Sequence, residues 1–265
     1  MIFKHFALSV VYYSAFVELI SNLHNYKLYK HMKQSIILAF FLLAYTIPFA
    51  QDSTAKYDPD KAIQFYFGAG GAYNNYKNLN HTLTDAGLPS VGKFTLSSIG
   101  EFDLRHKNFL IGFTTAMGFS PKRNDSYNTS VFNFYTGVNA GYYIVNANKF
   151  HLAPQLGFGL YSSAAKISQR NGFTDFNDVL MNKNSITLNQ NTPVLDFALK
   201  FDFADFSKAK TCLTGVRVGY KYGLSKRGWG IDETSNSTVD GSPEDRINQL
   251  YAMVTIGFAL QKPVK

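Results

Sequence analysis

From about residue 63 onward the chain alternates apolar and polar positions with a period of two. Between Val131 and Val145, the residues Phe132, Phe134, Thr136, Val138, Ala140, Tyr142 and Ile144 fall on one side, opposite Asn133, Tyr135, Gly137, Asn139, Gly141 and Tyr143. Successive side chains of a strand point to opposite faces, so this pattern predicts a β-strand with one oily face and one polar or small face. The same division separates Phe109, Ile111, Phe113, Met117 and Phe119 from Leu110, Gly112, Thr114, Ala116 and Gly118. It returns where Leu195, Phe197, Leu199, Phe201 and Phe203 oppose Asp196, Ala198, Lys200 and Asp202, and where Val216, Val218, Tyr220 and Tyr222 oppose Gly215, Arg217, Gly219 and Lys221.

About eight such segments can be marked: 63–72, 93–104, 109–119, 131–145, 150–167, 192–203, 211–225 and 247–260. Each reaches the ~9 to 11 residues that a tilted strand needs to cross a bilayer. The connections alternate in length, long at 73–92, short at 105–108, intermediate at 120–130, short at 146–149, long at 168–191, fairly short at 204–210 and long at 226–246. Tight turns on one side and larger loops on the other are the rhythm of an antiparallel barrel with both termini in the periplasm. The turns at His106-Lys107-Asn108 and Asn146-Ala147-Asn148-Lys149 carry Asn, expected to take the positive φ of a hairpin. The predicted fold is therefore all-β, an eight-stranded antiparallel up-and-down transmembrane β-barrel over residues 63–260.

On that topology the oily-face aromatics gather at two levels. Phe94, Phe119, Phe132, Tyr220 and Tyr222 lie toward the loop side, and Phe109, Tyr142, Phe150, Phe203 and Phe258 toward the turn side, as two aromatic girdles would. Composition agrees: aromatic residues make up 16% of the chain and charged residues only 17%, so part of the surface is expected not to face water. The competing arrangement is a soluble secreted barrel or sandwich that binds a ligand. It requires the oily faces to point inward.

The N-terminus adds an export signal. Met32 and Lys33 precede an almost wholly apolar run from Ile36 to Ile47, which ends in Pro48-Phe49-Ala50 before Gln51. That is the layout of a signal peptide over 32–50, cleaved after Ala50, and the run is too short to span a bilayer as a helix. Residues 1–31 read as an upstream extension from a start assigned too early, and 51–62 as a short periplasmic segment. The single cysteine, Cys212, excludes an internal disulfide.

Beyond residue 50 there are 22 basic and 17 acidic residues, a modest excess scattered singly, which argues against nucleic-acid binding. No metal signature, phosphate loop or nucleophile elbow is present, so no metal and no cofactor are expected. The charges that interrupt the polar faces stand out instead. With the oily faces toward lipid, Glu101, Asp103, Arg105, Asp196, Lys200, Asp202, Arg217 and Lys221 all enter the lumen. Lys200 and Asp202 are one short turn from Arg217 and Lys221, so pairing between those neighbouring strands is expected. An eight-stranded interior is just wide enough for side chains to fill, which predicts a salt-bridged plug in preference to a narrow ion path.

The long loops hold the remaining candidates. His81 in the first and Asp125-Ser126 in the second would supply the residue types of a lipid A-modifying barrel enzyme, if they converged. The last long loop is acidic, and Trp229 near its start is expected to anchor it at the membrane surface.

In the signal layout of 32–51, the strand Phe65-Tyr66-Phe67-Gly68-Ala69-Gly70-Gly71 and the closing Thr255-Ile256-Gly257-Phe258-Ala259-Leu260, the chain resembles the porin-like outer-membrane β-barrel family of small bacterial barrels. It departs from many members in its tail, Gln261 to Lys265. The resemblance implies the Gram-negative outer membrane as location, with membrane lipid, lipopolysaccharide and the barrel-assembly machinery as partners, and a monomer. The first reading of its role is a non-enzymatic barrel that serves structure, surface contact or narrow permeation.

Overall fold

Period-two alternation yields strands, and strands with one oily face leave open edges unless the sheet closes on itself. In the computed structural model, which describes residues 57–123, 126–147, 149–169, 185–206, 210–231 and 241–263, closure is complete. The elements in chain order are β1 (Tyr57–Asn74), α1 (Lys77–Asp85), β2 (Phe94–His106), β3 (Phe109–Arg123), β4 (Tyr127–Tyr142), the two-residue β5 (Val145–Asn146), β6 (Phe150–Gln169), β7 (Ser185–Phe203), β8 (Lys210–Gly228), the two-residue β9 (Gly230–Ile231) and β10 (Glu244–Pro263). Every long strand pairs antiparallel with its neighbours, and β1 pairs with β10 as well as β2. The molecule is a closed eight-stranded antiparallel barrel, with β5 and β9 as short additions to β6 and β7.

All eight expected strands are present, and most run further than the alternation indicated. β1 begins at Tyr57, inside the segment read as a periplasmic extension, and β7 begins at Ser185, not 192. β3 and β4 continue to Arg123 and from Tyr127, which shortens the connection expected over 120–130. The first long connection contains the helix α1, which the period-two pattern did not suggest. In the turn between β2 and β3 the positive φ, 55°, belongs to Lys107, not to the adjacent Asn108. The upstream extension, the signal segment and Gln51 to Lys56 lie outside the described residues.

The wall is oily outside and polar inside. Phe109, Ile111, Phe113, Phe119, Phe132, Val138, Tyr142, Leu156, Phe158, Phe197, Phe203 and Val254 are all exposed on the outer face, while Tyr66, Gln64, Asn133, Gln155 and all eight predicted lumen charges are buried. This is the reverse of a water-soluble β-protein, and the inward-facing alternative is corrected accordingly. Register sets the aromatic borders: Phe109 faces Tyr142 near the turns, ten residues from the Phe119–Phe132 pair near the loops. At ~3.4 Å per residue and a tilt of ~40°, that spacing covers roughly 26 Å along the barrel axis, the height of an outer-membrane apolar band.

Candidate functional site

The interior is built in three layers. At the turn end, Ala62, Tyr66, Ala204, Phe206, Leu213 and Ala259 form an apolar floor. Above it, Asp202 accepts hydrogen bonds from the Tyr66 and Tyr143 hydroxyls, each at 3.0 Å. Arg105 stands beside this layer, its guanidinium over the rings of Phe206 and Tyr143, donating through Nε to the Lys107 carbonyl and through Nη2 to Asn146. His151 is buried here between Asn146 Oδ1 and the Ala204 carbonyl.

The middle layer is a continuous array of ions. Lys200 Nζ lies 2.8 Å from Glu101 Oε1 and 2.6 Å from Asp103 Oδ2. Arg217 binds Glu101 through Nη1 and Asp196 through Nη2, the latter at 3.2 Å, and donates through Nε to the Tyr251 hydroxyl at 3.1 Å. That hydroxyl in turn donates to Asp196 Oδ1 at 2.8 Å. Lys221 is 3.9 Å from Asp196 Oδ2, with its ammonium over the rings of Tyr251 and Tyr135.

The eight predicted charges thus comprise four acids and four bases, none more than 5% exposed. Six form the linked array, Asp202 is held by tyrosine hydroxyls, and Arg105 sits apart in its aromatic clamp. The partners differ from the neighbouring-strand pairing expected for β7 and β8. Register places Lys200 opposite Arg217, so two cations are adjacent, and both reach across the lumen to β2. Between β7 and β8 themselves, Asp196 takes the expected neighbouring-strand partners, Arg217 at 3.2 Å and Lys221 at 3.9 Å.

Glycine supplies the room for the tyrosines. A Cβ at Gly219 would come within 2.5 Å of the Tyr251 ring, its register partner, so any larger residue there displaces the ring that positions Arg217.

The loop end is closed by α1. Its apolar residues Leu79 and Leu83 join Tyr76, Val91, Val131, Tyr161, Val194, Trp229 and Ile247 in one cluster. No local side chain caps the helix. Instead Asp245 of β10 accepts the backbone N–H groups of Asn78 and Leu79 at 2.9 and 3.0 Å, satisfying donors that a helix start leaves free. Asp245 Oδ2 also accepts Trp229 Nε1 at 3.2 Å. Trp229 is therefore buried in the plug, which corrects its expected place at the membrane surface. Burial pushes the Tyr76 hydroxyl up to about 12, keeping it a donor to Asn133 Oδ1. Below it, Asn74, Tyr161 and Gln249 complete a hydrogen-bonded ring of side chains.

His81 is on the exposed side of α1 and pairs with Asp85 of the same helix at 2.6 Å, while Asp125 lies outside the described residues. Of the acidic loop, Asp232, Glu233 and Asp240 also lie outside them. Among the described residues no cluster of His, Cys, Asp or Glu has the makings of a metal site. Sequence reasoning missed the Asp245 cap and the tyrosine hydroxyls. Tyr135 and Tyr143 did stand on the polar phase of their strand, the signal that could have revealed the latter.

Eight closed strands, an apolar outer wall and a polar, filled interior define the class: the fold is that of the small outer-membrane barrels. Among solved structures the chain is similar to the attachment invasion locus protein Ail of Yersinia pestis, solved with the heparin analogue sucrose octasulfate, at 8% identity over 76% of this chain and 99% of that one, with a TM-score of 0.45. It is similar to Neisserial surface protein A at 13% identity, covering 76% and 99%, TM-score 0.42. It is also similar to the outer membrane protease OmpT of Escherichia coli at 10% identity, covering 79% and 99%, TM-score 0.33. No protein-family model matches the chain, and no curated protein matches it.

Proposed function

We propose that the protein is a non-enzymatic, non-conducting barrel of the bacterial outer membrane, with a structural role in the membrane and a loop-end surface for contacts outside it. One observation carries this reading: three buried acids and three buried bases are linked in one ion array inside an apolar wall. An apolar exterior of this size is stable only in an apolar surrounding, which favours lipid over water. A conducting pore needs a hydrated path, whereas here the α1 cluster, the ion array and the Phe206 floor follow one another along the lumen. An enzyme needs charged groups that face a substrate, whereas six of these are engaged with one another and Asp202 with tyrosine hydroxyls.

The test is insertion of the purified barrel into a planar lipid bilayer, with insertion confirmed independently by protection from protease. The expected result is an inserted, protected barrel that carries no channel current. Reproducible current steps that change size in Lys200→Met would overturn the closed-lumen reading, and recovery of the protein in the soluble fraction without detergent would overturn the membrane reading.

A further inference from the structure

We infer that Lys200 and Asp103 condense into an isopeptide bond, an amide between side chains that straps the barrel across its lumen. Asp103 is on β2 and Lys200 on β7, four strands apart whichever way round the barrel is followed, so the bond joins opposite walls.

The two groups are placed as reactants. Lys200 Nζ lies 2.6 Å from Asp103 Oδ2 and 2.8 Å from Glu101 Oε1, and none of the three side chains is more than 2% exposed. The Tyr66 ring covers the amine, its centroid 3.4 Å from Nζ. Asp103 Oδ1 has no hydrogen-bond partner among the described residues. Room for that oxygen comes from Gly112, the register partner of Asp103 on β3, where a Cβ would stand 1.9 Å from it. The Asp103 carboxyl is thus free to pass from planar to tetrahedral. Glu101 is held differently, because Arg217 binds its other oxygen. The Lys221–Asp196 pair, at 3.9 Å, stands too far apart to react.

The step balances within these three residues. The Lys200 ammonium gives one proton to Glu101, and the freed amine attacks Asp103 Cγ to form the C–N bond. Glu101 passes that proton to Oδ2, the nitrogen gives up a second to the same oxygen, and the Cγ–Oδ2 bond breaks to release water. An ammonium and a carboxylate become a neutral amide and one water, Glu101 is regenerated, and nothing is oxidised or reduced. Holding amine and carboxyl in contact is equivalent to an effective concentration of about 10⁵ to 10⁸ M. A buried ion pair also carries a desolvation penalty that a neutral amide escapes, so burial favours the product. The ions that remain, Glu101 and Asp196 with Arg217 and Lys221, are still balanced.

The experiment is tryptic peptide mass spectrometry of the full-length barrel, denatured in urea at intervals after refolding into detergent. In the wild type the segment Phe94–Arg105 should appear joined to Asn184–Lys208, one water lighter than the two together, because an amidated Lys200 no longer admits cleavage. Asp103→Ala and Lys200→Gln should yield no joined peptide. Glu101→Gln keeps both reacting groups and should form the link at least about a hundredfold more slowly, as loss of a general acid–base does. Heat-modifiable migration on a denaturing gel establishes which variants are folded. A folded wild type that yields Phe94–Arg105 alone, with cleavage after Lys200, would overturn the inference whatever the variants do. A wild-type rate in folded Glu101→Gln would overturn the part given to Glu101. An unlinked barrel leaves the membrane reading standing, since the strap lies wholly inside the lumen.

Discussion

Lys200 and Arg217 face each other across the β7–β8 ladder, two cations in direct register, and both bind Glu101 on the opposite wall. Like charges side by side destabilise a sheet unless a counter-charge lies between them. Glu101 is that counter-charge, and the barrel's closure delivers it.

Glu101→Gln should therefore be the most damaging single charge change in the lumen. Removing one partner from a buried ion pair costs about 3 to 5 kcal/mol, because the remaining charge stays buried without compensation. Urea unfolding of the barrel in detergent should show this loss. The double change Glu101→Gln/Lys200→Met should recover part of it, since Arg217 then keeps Asp196 as a counter-charge and no longer faces a second cation in register. A double variant no more stable than the single would show that the coupling is wrong.

Asp245→Ala should loosen the plug and leave the barrel closed. The loss of a helix cap costs about 0.5 to 2 kcal/mol, and here the same carboxylate also holds Trp229. Trp229 is the chain's one tryptophan, so its fluorescence reports the plug alone. The expected readout is a red-shifted emission with greater iodide quenching, at an unchanged heat-modifiable migration. An emission identical to the wild type would mean that the cap does not hold the helix.

Gly219→Val should crowd the Tyr251 ring and cost about 1 to 3 kcal/mol, as overpacking of a filled interior does. Tyr251→Leu in the same chain should relieve the crowding, giving a favourable coupling in a double-mutant cycle of unfolding free energies. Additive effects would place the two residues out of contact.

Val254→Arg tests the outer face. Val254 is exposed and lies midway along β10 between Leu250 and Phe258. In a bilayer an arginine at that depth should cost about 2 to 4 kcal/mol, whereas on a water-facing surface it would change stability by about 0.5 kcal/mol or less. Unfolding from lipid vesicles distinguishes the two.

The strands were legible because lipid on one side and a packed lumen on the other impose opposite demands on alternate residues, as at Phe132 and Asn133. The eight lumen charges were legible for the same reason, since each interrupts an oily strand on its polar phase. Their partners were not. Whether Lys200 meets Asp202's neighbours or Glu101 depends on register and closure, which bring residues some 99 positions apart into contact. The helix α1 escaped notice because only Leu79 and Leu83 mark its buried side in a polar loop, and its cap comes from Asp245, 166 residues beyond Leu79. Trp229 was misplaced because an aromatic at a strand end looks the same whether it meets lipid or turns inward to a plug.

The alternation of the wall divides the chain's information unequally. An outward position such as Val138 or Leu156 asks only for oiliness, which several residue types supply equally well, so it records little about ancestry. An inward position such as Gly219 or Glu101 is fixed by particular neighbours on other strands, and a change there calls for a matching change elsewhere. In this barrel the inward positions come in linked sets, Glu101 with Lys200 and Arg217, Gly219 with Tyr251, so a change at one is felt at its partners on other strands.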